Sequence, residues 1–353
     1  MITFFPGPSK VYPELLNYFQ DAYHKGILSL NHRSTEFTAI SKRAVELMKE
    51  KLNIPQDYTV YFTSSATEGW EITAQSLTKK YSYHIFNGAF GKKWHENTGK
   101  LGIETSRYEI GMDVELDLAN LKISSQTEVI CVTQNETSNG TQVKNEKIAQ
   151  LKAAYPDQLI AVDATSSLAG ADLKIENADV WIGSVQKCFG LPAGLGILIC
   201  SPKALKKASE LSDNNHYNSL LFIDENMKGW QTNCTPNVLN IYMLMRVMEQ
   251  VDNISVLGEK LKKRAKEMYD FLDGFSNIRS LVQNDLIQSQ TIVAVKAEEP
   301  LLTELKKKGK EAGILLGNGY GIWKPYSFRI ANFPALTDGE FASLKEFLKK
   351  NVS

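Results

Sequence analysis

The sequence predicts an α/β protein, in which a large domain with a mainly parallel central sheet is followed by a smaller C-terminal α+β domain. Between residues 58 and 200, short apolar runs alternate with amphipathic stretches. This alternation is typical of a parallel sheet that is covered by helices on both faces. With 353 residues, 43% of them hydrophobic, the chain can bury such a core without disulfides or a structural metal.

The elements of the large domain follow one another in a regular order. The predicted strands are "YTVYF" (58–62), "YHIF" (83–86), "EVICVT" (128–133), "LIAVD" (159–163), "DVWIG" (179–183) and "LGILIC" (195–200). Helical or amphipathic patterns follow the first three strands, at 67–80, 91–102 and 145–155. Only a tight turn rich in Gly and Pro joins the last two strands, so we expect that pair to be antiparallel.

After residue 236 the pattern changes to that of a smaller α+β unit. Long helices are predicted at 237–252 and 256–275, followed by the strand "TIVAVK" (291–296), a helix near 300–312, the strand "SFRIAN" (327–332) and a closing helix near 337–350. No internal repeat interrupts this order.

Composition narrows the classes of function. The chain carries 40 basic and 40 acidic residues, so no overall positive field favours nucleic acid or an anionic membrane. Its cysteines form no C-x-x-C pair, so we expect no zinc site or other metal site and no disulfide framework. No apolar run reaches the ~20 residues of a membrane span, and the first residues lack the pattern of a signal peptide. We therefore expect a cytoplasmic protein.

Two charged residues stand where apolar strands end. Lys187 lies in the turn between two buried strands, and Asp163 directly ends "LIAV". A lysine in a dry site has a lowered pKa and can attack aldehydes. A buried carboxylate needs a cation or a strong donor, although "DATSS" also suits a helix cap. In an open α/β sheet such residues meet beyond the carboxyl ends of the strands.

Other residues that follow the predicted strands suit a cofactor with a phosphate and a flat ring. Ser64, Ser65 and Thr67 stand at a helix start, where free N–H groups bind phosphate or where the hydroxyls simply cap the helix. Phe90 either stacks on a planar ligand or belongs to the core, and the polar stretch 135–139 is either a ring contact or an ordinary turn. Pyridoxal 5′-phosphate requires four groups at one edge of a sheet: a phosphate-binding helix start, an aromatic ring that stacks on the cofactor, an acid and an amine.

The chain resembles the class V aminotransferases of the pyridoxal phosphate fold type I, and within them the phosphoserine aminotransferase branch. The resemblance covers nearly the whole chain through "FFPGPS", "NHRSTEF", "SSATEGW", "NGAFG", "QNETSNG", "VDATSSLAG", "GSVQK", "GLPAG", "TNCTPNVLNIY" and "FRIANFP". It implies a large cofactor-binding domain at 12–240. It also implies a small domain at 241–353, which the N-terminal segment 1–11 joins.

The resemblance implies a role for each matched residue. Lys187 would bind the cofactor aldehyde, and Asp163 would pair with the ring nitrogen. The ring would lie between Phe90, where the family commonly has Trp, and Thr165, with Thr137 on its hydroxyl. The cofactor phosphate would be held by Ser65, Ala66, Thr67 and Gln186. The Cys234 backbone and Thr235 would reach the phosphate of the cofactor that is bound in the neighbouring subunit. Arg329 would bind the substrate α-carboxylate. His32 and Arg33 would bind the acidic end of the substrate in the neighbouring subunit, which implies a homodimer with shared sites.

The resemblance implies transfer of an amino group between an amino acid and a 2-oxo acid, with phosphoserine and 2-oxoglutarate as the first choice. Thr67 stands where phosphoserine enzymes often have arginine, and "GNGYGIWKPYSFR" (317–329) lacks their His-Arg pair, although Lys324 could substitute. "VDATSSLAG" and "GSVQK" favour the alternative, a serine or alanine transaminase that uses glyoxylate or pyruvate. More distant alternatives are a cysteine desulfurase, disfavoured by Gln186 and Phe90 where that class has His, and a non-catalytic protein of the same fold.

Overall fold

The computed structural model describes residues 1–352. Its strands are β1 (Ile2–Phe4), β2 (Thr59–Thr63), β3 (Tyr81–Phe86), β4 (Glu104–Glu109), β5 (Val129–Thr133), β6 (Asn135–Glu136), β7 (Thr141–Gln142), β8 (Leu159–Asp163), β9 (Val180–Ser184), β10 (Gly196–Cys200), β11 (Ile278–Ser280), β12 (Ile292–Ala297), β13 (Ile314–Asn318) and β14 (Ser327–Ala331). Its helices are α1 (Leu15–His24), α2 (Thr35–Lys51), α3 (Ala66–Leu77), α4 (Ala89–Lys100), α5 (Asn145–Ala154), α6 (Pro202–Leu211), α7 (Leu220–Met227), α8 (Val238–Gln250), α9 (Ile254–Leu272), α10 (Glu299–Glu311) and α11 (Asp338–Asn351).

The larger sheet has the strand order β2-β10-β9-β8-β5-β3-β4. Strand β10 is antiparallel to both of its neighbours, and the other pairs are parallel. The predictions of a mainly parallel sheet and of an antiparallel pair at β9 and β10 are therefore confirmed. Strands β5, β8, β9 and β10 are buried along their whole length, as expected for a sheet with both faces covered.

Strand β4 is the element of this sheet that the sequence did not predict. It pairs with β3 at the edge of the sheet, and its residues "ETSRYE" are mostly exposed. Since an edge strand that faces solvent needs no apolar run, it leaves no hydrophobic pattern to detect.

The smaller sheet has the order β1-β13-β14-β12-β11. The N-terminal strand β1 runs parallel to β13, and the remaining pairs are antiparallel. The predicted division at 240/241 falls inside α8, which packs on α1 and α2, and the domain boundaries stay a prediction. No helix among residues 1–352 is both long and apolar enough to cross a membrane.

The topology gathers the candidate residues at one edge of the larger sheet. Because β10 is antiparallel to β2 and to β9, strands β2, β9, β8, β5 and β3 all point the same way. Their carboxyl ends are followed by the segments that begin at 64, 185, 164, 134 and 87.

Candidate active site

Lys187 lies in the turn that follows β9, and its side chain is buried. The residue is 9% exposed, and its Nζ donates a hydrogen bond to the Pro6 carbonyl at 2.6 Å. Burial, and then the positive charge of Arg329, lowers the pKa of the Lys187 amine from 10.5 to about 8. Asp163 and Glu136 oppose this shift as weaker causes. The amine can therefore exist in its neutral, nucleophilic form near neutral pH.

The N-terminal segment packs directly over this lysine. Ser9 N–H donates to the Gln186 carbonyl and Tyr12 N–H to the Gly190 carbonyl, both at 3.1 Å. Gly7 has a φ of +145°, and a Cβ there would lie 2.5 Å from Lys187 Nζ. A side chain here would be strained at this positive φ and would displace the lysine amine, so glycine is the residue best suited to the position. The motif "FFPGPS" carried the resemblance, but the sequence assigned its residues no role.

Asp163 ends β8 with its carboxylate buried and hydrogen-bonded. Oδ1 accepts from the Thr165 N–H at 2.9 Å and from the Thr165 hydroxyl at 2.5 Å. Oδ2 accepts from Trp70 Nε1 at 3.0 Å. Burial raises the pKa of Asp163, while these three donors and the Lys187 charge oppose the shift. Trp70 was missed by the sequence reasoning, because nothing in the local pattern of α3 links it to a residue 93 positions away.

The start of α3, where the sequence predicts a phosphate site, contacts Ser184 at the end of β9, three residues before Lys187. Ser65 caps the helix by accepting from the Glu68 N–H at 3.1 Å, and the Ala66 N–H donates to Ser184 Oγ at 3.3 Å. Thr67 is exposed. The Oε1 atom of Gln186 is buried and has no hydrogen-bond partner within residues 1–352. A buried amide oxygen that accepts no hydrogen bond is costly.

Glu136, in the polar stretch after β5, fixes the start of α4 and with it Phe90. Its Oε2 accepts from the backbone N–H groups of Phe90 and Gly91, each at 3.1 Å. The approach is so close that a Cβ on Gly88 would lie 2.3 Å from Glu136 Cγ. Burial raises the pKa of this carboxyl, and its hydrogen bonds oppose the shift. The sequence reasoning included Glu136 in the polar stretch 135–139 but assigned it no role of its own.

Arg329 reaches the same region from β14 of the smaller sheet. Its Nε donates to the Asn318 carbonyl at 2.7 Å, and its Nη1 donates to the Thr137 carbonyl at 2.9 Å. The residue is 7% exposed, and burial lowers the pKa of its guanidinium to about 10. The structure records no partner for Nη2 among the residues it describes. The Thr137 hydroxyl is hydrogen-bonded to Ser166 Oγ.

An aromatic contact joins the start of α4 to the segment between β13 and β14. The ring of Tyr320, from the segment that joins β13 to β14, stacks on Phe90 with centroids 4.9 Å apart and planes inclined by 24°. Arg329 Cζ lies 5.4 Å from the centroid of the same tyrosine. Tyr320 lies within "GNGYGIWKPYSFR", but the sequence reasoning considered only its cations.

Four of the predicted residues lie apart from Lys187 and Asp163 within this chain. Arg33 donates to Gln231 Oε1 at 2.7 Å, which places His32 and Arg33 beside the loop that contains Cys234 and Thr235. Arg33, Cys234 and Thr235 are exposed. No contact recorded among residues 1–352 joins this group to the lysine.

Lys324, the suggested substitute for the missing basic pair, faces another part of the molecule. It is exposed and lies near α10, where burial and then the charge of Lys324 lower the pKa of Lys306. Its side chain has no recorded contact with Arg329 or Tyr320 in the described chain.

Comparison with known proteins identifies the group to which this arrangement belongs. The family model described as aminotransferase class V matches residues 6–332. A phosphoserine aminotransferase structure from Cytophaga hutchinsonii is 32% identical, with a TM-score of 0.95 over 100% of this chain and 99% of that one. A curated phosphoserine aminotransferase of Rhodococcus opacus (strain B4) is 25% identical, covering 98% of this chain and 94% of the relative.

More distant structures share the fold. An alanine–glyoxylate aminotransferase from Nostoc sp. has a TM-score of 0.83 at 16% identity, over 99% of this chain and 94% of that one. The predicted resemblance to the class V family is confirmed by the family model and by the Cytophaga hutchinsonii structure.

Proposed function

Since the chain belongs to the class V aminotransferase family, we propose that it transfers the amino group of O-phosphoserine to 2-oxoglutarate. The observation that carries this choice is the similarity to the Cytophaga hutchinsonii phosphoserine aminotransferase along the full length of both chains. The buried amine of Lys187, the buried carboxylate of Asp163 and the guanidinium of Arg329 supply the groups that the reaction needs.

The residues present fit pyridoxal 5′-phosphate. The helix start at Ser65, Ala66 and Thr67 offers backbone N–H groups that would hold a phosphate, and the Ala66 N–H contacts Ser184, three residues before the buried amine of Lys187. Lys187 would bond to the aldehyde carbon. When bound, the cofactor supplies an electron sink for the pair left on the substrate α-carbon.

The ring would be held by residues around the carboxylate of Asp163, which would face the ring nitrogen. Trp70 and Thr165 orient that carboxylate, and a protonated nitrogen beside it would favour its charged form. Phe90 would cover one ring face and Thr165 the other, with Thr137 on the ring hydroxyl.

Lys187 has the properties of the proton carrier of the reaction. With a pKa of about 8, its Nζ can take a proton from the substrate α-carbon and would deliver it to the cofactor carbon to which Lys187 had been bonded, which is the net proton shift that the transfer requires. Arg329 would bind the α-carboxylate through Nη2 and the second N–H of Nη1, because its Nε is held by the Asn318 carbonyl and one Nη1 N–H by the Thr137 carbonyl. The rigid guanidinium thereby orients the α-hydrogen.

We also propose a homodimer in which the partner's exposed loops complete each site. The closeness of Arg33 to Gln231 supports this, since it presents His32, Arg33, Cys234 and Thr235 together on one surface. Light scattering would give the oligomeric state. Mixing Lys187→Ala with Arg33→Ala protein should restore part of the activity if sites are shared between subunits. The cytoplasmic location stays a prediction.

The reaction is tested with the purified, cofactor-loaded protein. Phosphoserine and 2-oxoglutarate should yield glutamate, and borohydride reduction should leave the cofactor attached to the peptide that contains Lys187. Lys187→Ala should lose both signals, whereas Lys203→Ala, at a partly exposed lysine, should keep them. Turnover of alanine or serine with glyoxylate, and none of phosphoserine, would overturn the proposed donor in favour of the alternative.

The desulfurase alternative requires a reactive thiol. Cys131, Cys188 and Cys200 are buried, and burial raises the pKa of each. Cys234 is exposed, but burial raises its pKa as well. Release of sulfide from cysteine would favour this alternative.

A further inference from the structure

An acidic amino acid such as phosphoserine has two anionic ends, and Arg329 can bind only one of them. We propose that Lys93 binds the distal anion of the substrate beside His32 and Arg33 of the partner subunit, and that Tyr320 positions the Lys93 ammonium. This inference rests on the proposed function, because it concerns the substrate of the same site.

Lys93 reaches the site from α4, one turn after Phe90. Its Nζ donates to the Tyr320 hydroxyl at 2.5 Å, and it lies 5.0 Å from the Tyr320 ring centroid and 5.5 Å from that of Phe90. The phenol oxygen of Tyr320 holds the ammonium at the edge of its ring, while the neighbouring Phe90 ring lies within the range of a cation–π attraction. The amine is therefore held in place although its residue is exposed.

Tyr320 separates two cations. Arg329 Cζ lies 5.4 Å from the ring centroid, and Lys93 Nζ contacts the hydroxyl end of the same ring. A substrate with its α-carboxylate on Arg329 would thus find a second positive charge one aromatic ring away. Phosphate and carboxylate both accept hydrogen bonds from ammonium groups.

Lys93 is also free to take such an anion. No acidic side chain within residues 1–352 forms an ion pair with it, whereas its neighbour Lys92 pairs with Glu96 at 4.0 Å. Lys324 lies near Lys306 instead, and Thr67 carries no charge. Of Lys92, Lys93 and Lys324, only Lys93 has a recorded contact, within residues 1–352, with the ring that Arg329 also contacts.

The test compares Lys93→Met with Lys92→Met in the cofactor-loaded enzyme. Steady-state kinetics are measured with phosphoserine and glutamate, which have a distal anion, and with alanine, which has none. Loss of a charged hydrogen bond should lower kcat/KM for the acidic donors by about 10- to 100-fold, mainly through KM. The value for alanine, and all values for Lys92→Met, should stay near those of the wild type. Tyr320→Phe should raise the same KM values by a smaller factor.

Each outcome decides the inference. Equal losses for acidic and neutral donors would indicate a merely structural role and overturn it, as would unchanged kinetics of Lys93→Met. If phosphoserine does not react but the KM for glutamate still depends on Lys93, the proposed donor fails while the role of Lys93 stands. If only neutral amino acids react, no distal anion is bound and the inference is overturned.

Discussion

Lys187→Met should remove a contribution to stability that depends on pH. In the cofactor-free protein, burial and then Arg329 lower the pKa of the amine from 10.5 to about 8, which corresponds to ~3 kcal/mol. Below pH 8 the amine is protonated in both the folded and the unfolded chain, so the folded state bears the full cost of burying the charged amine. Between pH 8 and 10.5 only the unfolded chain keeps the proton, so the stability of the wild type rises with pH.

The assay is urea unfolding of cofactor-free wild type and variant at pH 7 to 10, at one protein concentration. The free energy of unfolding of the wild type, minus that of Lys187→Met, should increase by about 2 to 3 kcal/mol across this range. The offset at pH 7 is not itself diagnostic, because the variant also leaves the Pro6 carbonyl without its donor. Lys203→Met, which removes another lysine that donates to carbonyls, is the control and should give a level difference. A level difference for Lys187→Met would refute the reasoning.

Three further substitutions test the surroundings of the lysine. Asp163→Asn removes the buried charge and should lower kcat by about 100-fold or more, measured beside circular dichroism to check the fold; near-normal turnover would contradict the role of the carboxylate. Trp70→Phe removes the donor to Asp163 and should lower the free energy of unfolding in urea by about 1–3 kcal/mol, and no loss would mean that this hydrogen bond is not formed. Gly7→Ala would place its Cβ 2.5 Å from Lys187 Nζ, so kcat should fall at least about tenfold. Gly26→Ala is the control, because Gly26 also has a positive φ but a Cβ there would meet nothing within 4 Å. This variant should lose only ~1 kcal/mol of stability. Equal kcat values for the two glycine variants would contradict the packing of Gly7 over the lysine.

The elements that the sequence predicted well are those whose pattern follows from burial. The fully buried strands β5, β8, β9 and β10 appear as apolar runs, because both of their faces must avoid water. Strand β4 has exposed residues and left no such pattern. Lys187 and Asp163 were found for the same reason, since a charged residue at the end of a buried run is costly and therefore conspicuous.

The partners of those two residues were beyond the reach of any local pattern. The hydrogen bond from Lys187 to Pro6 joins residues 181 positions apart, and Lys93 meets Tyr320 across 227 positions. Periodicity reports how one segment is buried, but it carries no information about which distant segment lies beside it. The sequence by itself thus determined the sheet, the buried amine and the buried acid. Only the tertiary structure decided that the N-terminal segment covers the amine and that Tyr320, between β13 and β14, contacts two cations, because those contacts depend on how the whole chain packs.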